Sequence, residues 1–266
     1  MRLGVIGTGN MGGALIRGFA ANKRADDEII IFDLDKEKVA GCLKYGGVTA
    51  ADSMAELILA SDAVLIALKP NIFDKVVPEI AAVSNDDNKV YISIAAGVSI
   101  KWLQKVLGEG SRVIRVMPNT PAMVGEGMAA IARSSEVPDD VFADVVRIFE
   151  SVGRACAVDE DKLDVITGIS GSSPAYAYMY IQALIEQAMA SGLDEEEAKG
   201  FAAQATLGAA KMVLDCEISP EQLRINVCSP GGTTIEAVHV LEDEGFIDTV
   251  KKATAACIAK SKLMTK

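Results

Sequence analysis

Residues 3–12 are Leu3-Gly4-Val5-Ile6-Gly7-Thr8-Gly9-Asn10-Met11-Gly12, a short apolar run followed directly by glycines in the spacing G-x-G-x-x-G. The run predicts a buried β-strand, and the residues after it predict a helix that begins inside the glycine motif. In such a unit the first glycine permits a tight turn, the second lets the backbone approach an anion, and the third lets helix and strand pack closely. The stretch therefore predicts a strand, an anion-binding loop and a helix in succession.

The chain up to residue 158 repeats this alternation of β-branched runs and helical stretches, which is typical of a parallel sheet covered by helices on both faces. Strands are predicted at Arg2–Ile6, Glu28–Phe32, Ala63–Ala67, Lys89–Ile94, Arg112–Met117, Ala129–Arg133 and Arg154–Val158. Helices are predicted at Met11–Ala21, Lys36–Tyr45, Ile72–Val83 and Asp139–Val152. We therefore predict an α/β fold whose residues 1–158 form a doubly wound, Rossmann-like dinucleotide-binding domain.

After residue 158 the strand signal stops, and residues 159–266 are predicted to form an all-helical substrate and dimerisation domain. Small and apolar residues share one helical face at Phe201, Ala205, Gly208, Ala209 and Met212. A preceding helix carries Tyr176, Tyr180, Ala183 and Gln187 on one face. Apolar surface on more than one face favours burial against a second copy of the chain. The alternative is a monomeric helical cap over the first domain.

Composition excludes several classes of function. The 266 residues include 37 acidic and 26 basic side chains, and the net charge of −11 argues against a nucleic-acid partner. Every apolar run is shorter than the ~20 residues of a membrane-spanning helix. The five cysteines are widely spaced and form no C-x-x-C pair, which predicts reduced thiols in the cytoplasm and no zinc site. Because residues 2–6 already read as a folded strand, no signal peptide is expected.

Asp33 ends the second predicted strand, at the interval where an acid that binds a ribose is expected. A carboxylate there accepts from the 2′-hydroxyl of NADH and repels the 2′-phosphate of NADPH, so the sequence favours NADH. Two alternatives remain open. Lys36 and Lys38 are close enough in sequence to neutralise a phosphate, and Asp33 is also a suitable helix N-cap.

Three further loops follow predicted strands, at the edge where ligands bind in an open α/β sheet. They contain Ala67-Leu68-Lys69-Pro70, Ala95-Ala96-Gly97 and, within Met117-Pro118-Asn119-Thr120-Pro121, the side chain of Asn119. All three are cofactor-binding candidates, although Pro and Gly there also suit ordinary turns.

The helical half contains two Gly- and Ser-rich segments, at residues 168–174 and 226–234. The second leads into the apolar pattern Ile235, Val238, Leu241, so its amides are predicted to lie at a helix N-terminus that binds a small anion. Thr233 and Glu236 fit a capping box, which would leave the Thr234 hydroxyl free for a ligand. A purely structural cap is the competing interpretation.

Hydrolytic machinery is missing from the sequence. Its one histidine, His239, lies inside a predicted helix, so neither a His-dependent triad nor a His-rich metal site is expected. A nicotinamide domain joined to an anion-binding helix terminus instead favours hydride transfer to or from a small carboxylate.

Taken together, these residues resemble the pyrroline-5-carboxylate reductase family over essentially the whole chain. The resemblance rests on the glycine motif, on residues 67–70, 95–98, 117–121 and 167–172, and most specifically on Ser229-Pro230-Gly231-Gly232-Thr233-Thr234. It implies reduction of 1-pyrroline-5-carboxylate to L-proline, the last step of proline biosynthesis, by NADH or NADPH. It also implies a homodimer-based oligomer, such as a ring of five dimers.

The resemblance also implies residue roles. The substrate site lies where the cofactor domain meets the helical dimer, with the amides of Gly232, Thr233 and Thr234 on the substrate carboxylate. The Thr234 hydroxyl is the candidate catalytic group, contacting the ring nitrogen as a positioning donor or acceptor. Asn226 and Glu160 match family positions beside the nicotinamide, Asn226 on the substrate and Glu160 on the cofactor. The cofactor-binding set is Gly7, Thr8, Gly9, Asn10, Met11, Gly12, Asp33, Ala67, Leu68, Lys69, Pro70, Ala95, Ala96, Gly97, Asn119 and Glu160.

Two positions depart from the family pattern. Ser173 replaces a glycine in the second half, and Met54 stands near an asparagine that points toward the adenosine in many members. Two other functions are compatible with a glycine-loop domain joined to a helical one. A β-hydroxyacid dehydrogenase needs a lysine that residues 171–176 do not offer, and a non-catalytic NAD(P)-binding sensor would be favoured by a degenerate substrate loop.

Overall fold

The computed structural model describes residues 1–84 and 88–266, which divide into two packed units. The first unit comprises residues 1–172 together with 257–266, and the second comprises residues 173–256. The last strand ends at residue 157, one residue before its predicted end, but the first unit continues to residue 172. The reason is that Leu163 is buried in the core of the first unit. Residues 257–266 join this unit through polar contacts such as that of Ser261 with Asp164.

The first unit is built on one eight-stranded sheet in the order β3-β2-β1-β4-β5-β6-β7-β8. Its strands are β1 (Arg2–Ile6), β2 (Glu28–Phe32), β3 (Val48–Ala50), β4 (Ala63–Ile66), β5 (Val90–Ser93), β6 (Arg112–Met117), β7 (Gly127–Arg133) and β8 (Gly153–Ala157). All neighbouring pairs are parallel except β6 and β7, which are antiparallel. The doubly wound sheet is confirmed, with one antiparallel pair that the sequence pattern does not distinguish.

Helices cover both faces of this sheet, and each face has its own apolar core. The helices are α1 (Asn10–Asn22), α2 (Lys36–Leu43), α3 (Met54–Ala60), α4 (Phe73–Val83), α5 (Ile100–Leu107), α6 (Asp139–Glu150) and α7 (Leu163–Ile166). One core contains side chains of α1, α2 and α6, and the other contains side chains of α3, α4, α5 and α7. Alternate residues of a strand enter opposite cores, as Leu65 and Ile66 of β4 do.

Three elements of the first unit were not predicted, namely β3, α3 and α5. β3 has only three residues, too few to show an alternating pattern. Helices α3 and α5 have seven and eight residues, and each begins after a serine whose hydroxyl caps it, Ser53 and Ser99. Short helices of this kind are stabilised by packing more than by their own periodicity.

The second unit is helical throughout its described length, as predicted. It contains α8 (Ser173–Ala190), α9 (Glu195–Asp215), α10 (Pro220–Val227), α11 (Thr233–Asp243) and the first turns of α12 (Phe246–Met264). Helices α8 and α9 pack against each other. Large apolar side chains remain exposed along them, with Met179 71% and Phe201 70% accessible. The unit on its own therefore leaves much apolar surface in contact with water.

Candidate functional site

The glycine motif lies where the strand order of the sheet reverses. β1 separates β2 from β4, and ligands of doubly wound folds bind at the carboxyl ends of the strands beside such a reversal. Gly7 has φ +98°, and a Cβ at this position would lie 2.5 Å from the carbonyl oxygen of Ala67. Only glycine is compatible with both constraints. The motif is thereby packed directly against the loop that follows β4.

The N-terminus of α1 is suited to a diphosphate. Gly9 is the N-cap and no side chain caps the helix, so the first amides of α1 are left to a ligand. A Cβ built on Gly9 meets no atom within 4 Å, which shows that this glycine faces open space. A Cβ on Gly12 would lie 2.1 Å from the Gly7 carbonyl oxygen, so Gly12 serves close packing. These three environments match the three glycine roles of a dinucleotide-binding loop.

Asp33 is bound to the glycine motif itself. Its Oδ2 accepts from the Thr8 N–H at 2.7 Å and from the Thr8 hydroxyl at 3.0 Å, while Oδ1 accepts from the Asp35 N–H at 3.0 Å. Burial opposes ionisation of Asp33, but these hydrogen bonds outweigh it and hold the pKa of the carboxyl below its ordinary value. Asp33 is therefore an anion at neutral pH.

The alternative that Asp33 caps α2 is wrong, because Asp35 is the N-cap. The Asp35 side chain accepts from the N–H groups of Glu37 and Lys38. Lys38 also forms an ion pair with Asp35 at 2.8 Å, so its ammonium is engaged at the start of α2.

The other predicted cofactor loops occupy the same edge of the sheet. Lys69 is exposed and precedes a 3₁₀ turn at Pro70–Ile72, while Ala95 and Gly97 are buried in the loop after β5. The carboxamide of Asn119 donates to the Ser170 carbonyl oxygen at 3.2 Å and accepts from the Met128 N–H at 2.9 Å. Asn119 thus braces three segments, and its cofactor contact stays a prediction.

Glu160 is held by a buried arginine that sequence reasoning missed. Its Oε1 accepts from the Ile100 N–H at 2.8 Å and from Arg115 at 3.0 Å. Arg115 lies in β6, is buried, and also approaches Asp164 at 3.9 Å. A cation within the apolar strand Val113-Ile114-Arg115-Val116 was the available signal, because a buried arginine needs an acidic partner. Glu160 therefore braces the start of α5.

In the second unit, the predicted substrate loop ends at an uncapped helix N-terminus. Gly232 is the N-cap of α11, and no side chain caps the helix. The predicted capping box is wrong, because the helix begins one residue earlier than the box requires and Thr233 is its first helical residue. The structure gives the hydroxyls of Thr233 and Thr234 no hydrogen bond to any other described residue, and Thr234 is half-buried.

Asn226 lies in α10, where its Oδ1 accepts from Gln222 at 2.9 Å. His239 is exposed on α11, consistent with a surface helix residue. All five cysteines are free thiols. Over residues 1–84 and 88–266, no three His, Cys, Asp or Glu side chains gather in a way that could hold a metal ion. Within the same ranges, no helix combines the length and the apolar character needed to cross a bilayer.

Met54 and Ser173 mark the departures from the family pattern. Met54 is the first residue of α3 and packs against the core of the first unit, and Ser173 is the first residue of α8.

Family models match both halves of the chain. Residues 160–264 match the model described as pyrroline-5-carboxylate reductase dimerisation, and residues 2–97 match the model described as NADP oxidoreductase, coenzyme F420-dependent.

Relatives match over the full length. The pyrroline-5-carboxylate reductase of Escherichia coli (strain K12) is 41% identical, covering 100% of this chain and 98% of the relative. A pyrroline-5-carboxylate reductase structure from Coxiella burnetii superposes with a TM-score of 0.91 at 34% identity, covering 99% of this chain and 98% of that one. The Plasmodium falciparum pyrroline carboxylate reductase with NADP bound gives 0.89 at 32% identity, covering 100% and 98%. The chain belongs to the pyrroline-5-carboxylate reductase family.

Proposed function

We propose that this protein reduces the C=N bond of 1-pyrroline-5-carboxylate with NADH or NADPH, giving L-proline in the last step of proline biosynthesis. Family membership over the full chain supports the reaction. The structural observation that carries it is the uncapped N-terminus of α11 at Gly232, followed by the half-buried Thr234. A small carboxylate and a neighbouring polar atom of one ligand would find amides and a hydroxyl there.

The dinucleotide would be held by the first unit. The amides at the start of α1 bind the diphosphate, and Asp33 faces the ribose of the adenosine. Loops 67–70 and 95–97 line the same edge of the sheet. Asn119 and Glu160 keep that edge in shape through the hydrogen bonds described above. A bound reduced nicotinamide supplies the hydride.

Hydride transfer to the imine requires correct orientation of the substrate more than it requires a strong general acid. A protonated cyclic imine is already electrophilic at carbon, so hydride addition gives the neutral amine without a histidine. The amides of Gly232, Thr233 and Thr234 hold the substrate carboxylate. The Thr234 hydroxyl orients the ring nitrogen, and Asn226 contributes a further polar contact. Thr234 is thus a positioning donor or acceptor at the reacting bond.

The chain associates with itself through its helical half, as the match to a dimerisation model supports. A ring of five dimers and a cytoplasmic location are part of this proposal. The exposed apolar side chains of α8 and α9 support self-association, the ring size rests on the family resemblance alone, and five free thiols support a reducing location.

The test is the initial rate of NADH and NADPH oxidation with 1-pyrroline-5-carboxylate at neutral pH. Rapid turnover that falls about 100-fold in Thr234→Ala, with NADH affinity preserved, is the expected result. Thr234→Ser should recover most of the rate because it keeps the hydroxyl. Thr249→Ala, an exposed threonine of α12, is the matched control and should be unchanged.

Cofactor binding without turnover of the imine would overturn the reaction and favour a sensor. Oxidation of 3-hydroxy acids would indicate a dehydrogenase of the related β-hydroxyacid class. Wild-type kinetics in Thr234→Ala would remove this residue from the mechanism.

A further inference from the structure

The end of the chain is paired with the loop that follows β5. The Lys266 N–H donates to the Gly97 carbonyl oxygen at 3.0 Å, and the Ser99 N–H donates to the Lys266 carbonyl oxygen at 3.1 Å. The Ser99 hydroxyl donates to the same oxygen at 2.5 Å. Gly97 has φ +74°, and a Cβ there would lie 2.9 Å from the Met264 carbonyl oxygen. The tail and the loop therefore approach as closely as two strands of a sheet.

The Lys266 side chain adds two contacts beyond this backbone pairing. Its ammonium lies 4.2 Å from the centre of the Trp102 ring and forms an ion pair with Asp74. Trp102 is in the first turn of α5, whose N-cap is Ser99. Lys266 thus joins the helix after β4, through Asp74, to the helix after β5.

The last turn of α12 is anchored a second time, on Asp164. Ser261 and Thr265 donate their hydroxyls to Asp164 Oδ1 at 2.6 and 3.1 Å. Arg115 lies beside Asp164 and pairs with Glu160, which accepts the Ile100 N–H. The buried Arg115 therefore links Asp164, which binds Ser261 and Thr265, to Glu160, which binds the N–H of Ile100 at the start of α5.

The position of this loop in the sheet indicates which half of a dinucleotide it serves. β2, which leads to Asp33, lies on one side of β1, and β4 and β5 lie on the other. Strands are about 5 Å apart, so the loop after β5 lies roughly 10 Å from β1, away from the adenosine side. The loop is thus on the nicotinamide side of the reversal in strand order.

We propose that Thr265 and Lys266 are positioning residues, which hold the loop 95–98 in the shape that receives the nicotinamide half of the cofactor. This inference rests on the proposed function for the identity of the ligand. Neither residue needs to touch the cofactor. Lys266 acts through Gly97, Ser99 and Trp102, and Thr265 acts through Asp164, which anchors the end of the helix before it.

The test compares two ligands that share the adenosine diphosphate half. NADH reaches the loop after β5, whereas ADP-ribose has no nicotinamide. In Thr265→Val/Lys266→Ala, we expect the Kd for NADH, measured by calorimetry, to rise about fivefold and that for ADP-ribose to change less than about twofold. The single variant Lys266→Arg, with Thr265 intact, should keep the wild-type NADH affinity because it keeps a cation on the Trp102 ring. Lys262→Ala, an exposed lysine in the last turn of α12, is the matched control.

The single tryptophan offers a direct check, because removing a cation from its face should change its emission. Equal weakening of NADH and ADP-ribose would indicate a general structural defect and overturn the proposal, as would unchanged NADH affinity or an unchanged spectrum in Lys266→Ala. Both ligands bind without the imine. A wild-type protein that binds NADH but does not reduce the imine would refute the proposed function while leaving this test decisive.

Discussion

The carboxylate of Asp33 accepts hydrogen bonds from both the N–H and the hydroxyl of Thr8, at 2.7 and 3.0 Å. The acid that the sequence assigns to the cofactor ribose therefore also holds the glycine loop to the end of β2. Because we propose that Asp33 also selects the cofactor, substitutions at Asp33 should affect both the cofactor preference and the shape of the glycine loop.

Replacing Asp33 by serine should shift the preference toward NADPH by about tenfold, because a negative charge beside the 2′-phosphate is removed. NADH binding should weaken at the same time, since the Thr8 hydrogen bonds are lost. The ratio of kcat/KM for the two cofactors measures the first effect. Thr8→Val keeps the charge of Asp33 and should weaken both cofactors equally. A constant ratio in Asp33→Ser would show that Asp33 does not act on the ribose.

Alanine substitutions at Gly9 and Gly12 should have different effects, the first on NADH binding and the second on the stability of the fold. Gly9→Ala should leave the free energy of unfolding within about 1 kcal/mol of wild type, because a Cβ there meets open space and φ is −67°. NADH binding should fall at least about tenfold, since the methyl occupies the approach to the diphosphate. Gly12→Ala should destabilise the fold, because its Cβ would lie 2.1 Å from the Gly7 carbonyl oxygen. Urea unfolding and calorimetry measure the two effects; normal NADH affinity in Gly9→Ala would contradict the assigned loop.

Protonation of the Asp27 carboxylate should lower the free energy of unfolding at acidic pH. The residue is buried, which raises its pKa, but the Arg147 guanidinium at 2.9 Å and hydrogen bonds from the Arg24 N–H and the Met1 amino group prevail and lower the pKa to about 2. Because the folded pKa lies below the unfolded value near 4, the ionised carboxylate stabilises the fold above about pH 4. That contribution, about 2 kcal/mol, is lost as pH falls from about 4 through about 2.

Asp27→Asn should cost about 3 kcal/mol at neutral pH, because Arg147 loses its buried counter-charge. The variant should also flatten the acid dependence. Asp139→Asn removes an exposed partner of Arg133, remote from Arg147, and should cost less than about 1 kcal/mol. Urea unfolding at pH 3 and pH 7 gives both quantities, and the same pH slope in Asp27→Asn and wild type would refute the assignment.

Charge on the exposed face of α9 should disrupt self-association. Phe201 is 70% accessible in the isolated chain, and we expect Phe201→Asp to shift the mass in sedimentation velocity toward a monomer. Leu59→Asp places the same charge on α3, where Leu59 is 58% accessible, and should leave the mass unchanged. An unaltered assembly in Phe201→Asp would show that copies meet elsewhere.

Periodicity and glycine spacing determine the first unit from sequence. The bounds of β1, β2 and β6 agree with prediction, because each is an apolar run bounded by turn residues. Elements of three to eight residues carry too little periodicity, which is why β3, α3 and α5 are absent from the prediction. The N-cap of α2 was similarly ambiguous, since Asp33 and Asp35 are equivalent acids two residues apart, and only the backbone decides which one faces the helix.

The sequence by itself therefore determined the doubly wound sheet, the glycine turn between β1 and α1, and the family, because these depend on local patterns of apolar residues and glycines. Only the tertiary structure decided that Asp33 binds Thr8, that Arg115 joins Glu160 to Asp164, and that Lys266 pairs with the loop after β5. The physical reason is separation along the chain: Lys266 and Gly97 are 169 residues apart, and no local pattern encodes which distant partner a buried charge or an unpaired backbone amide will meet.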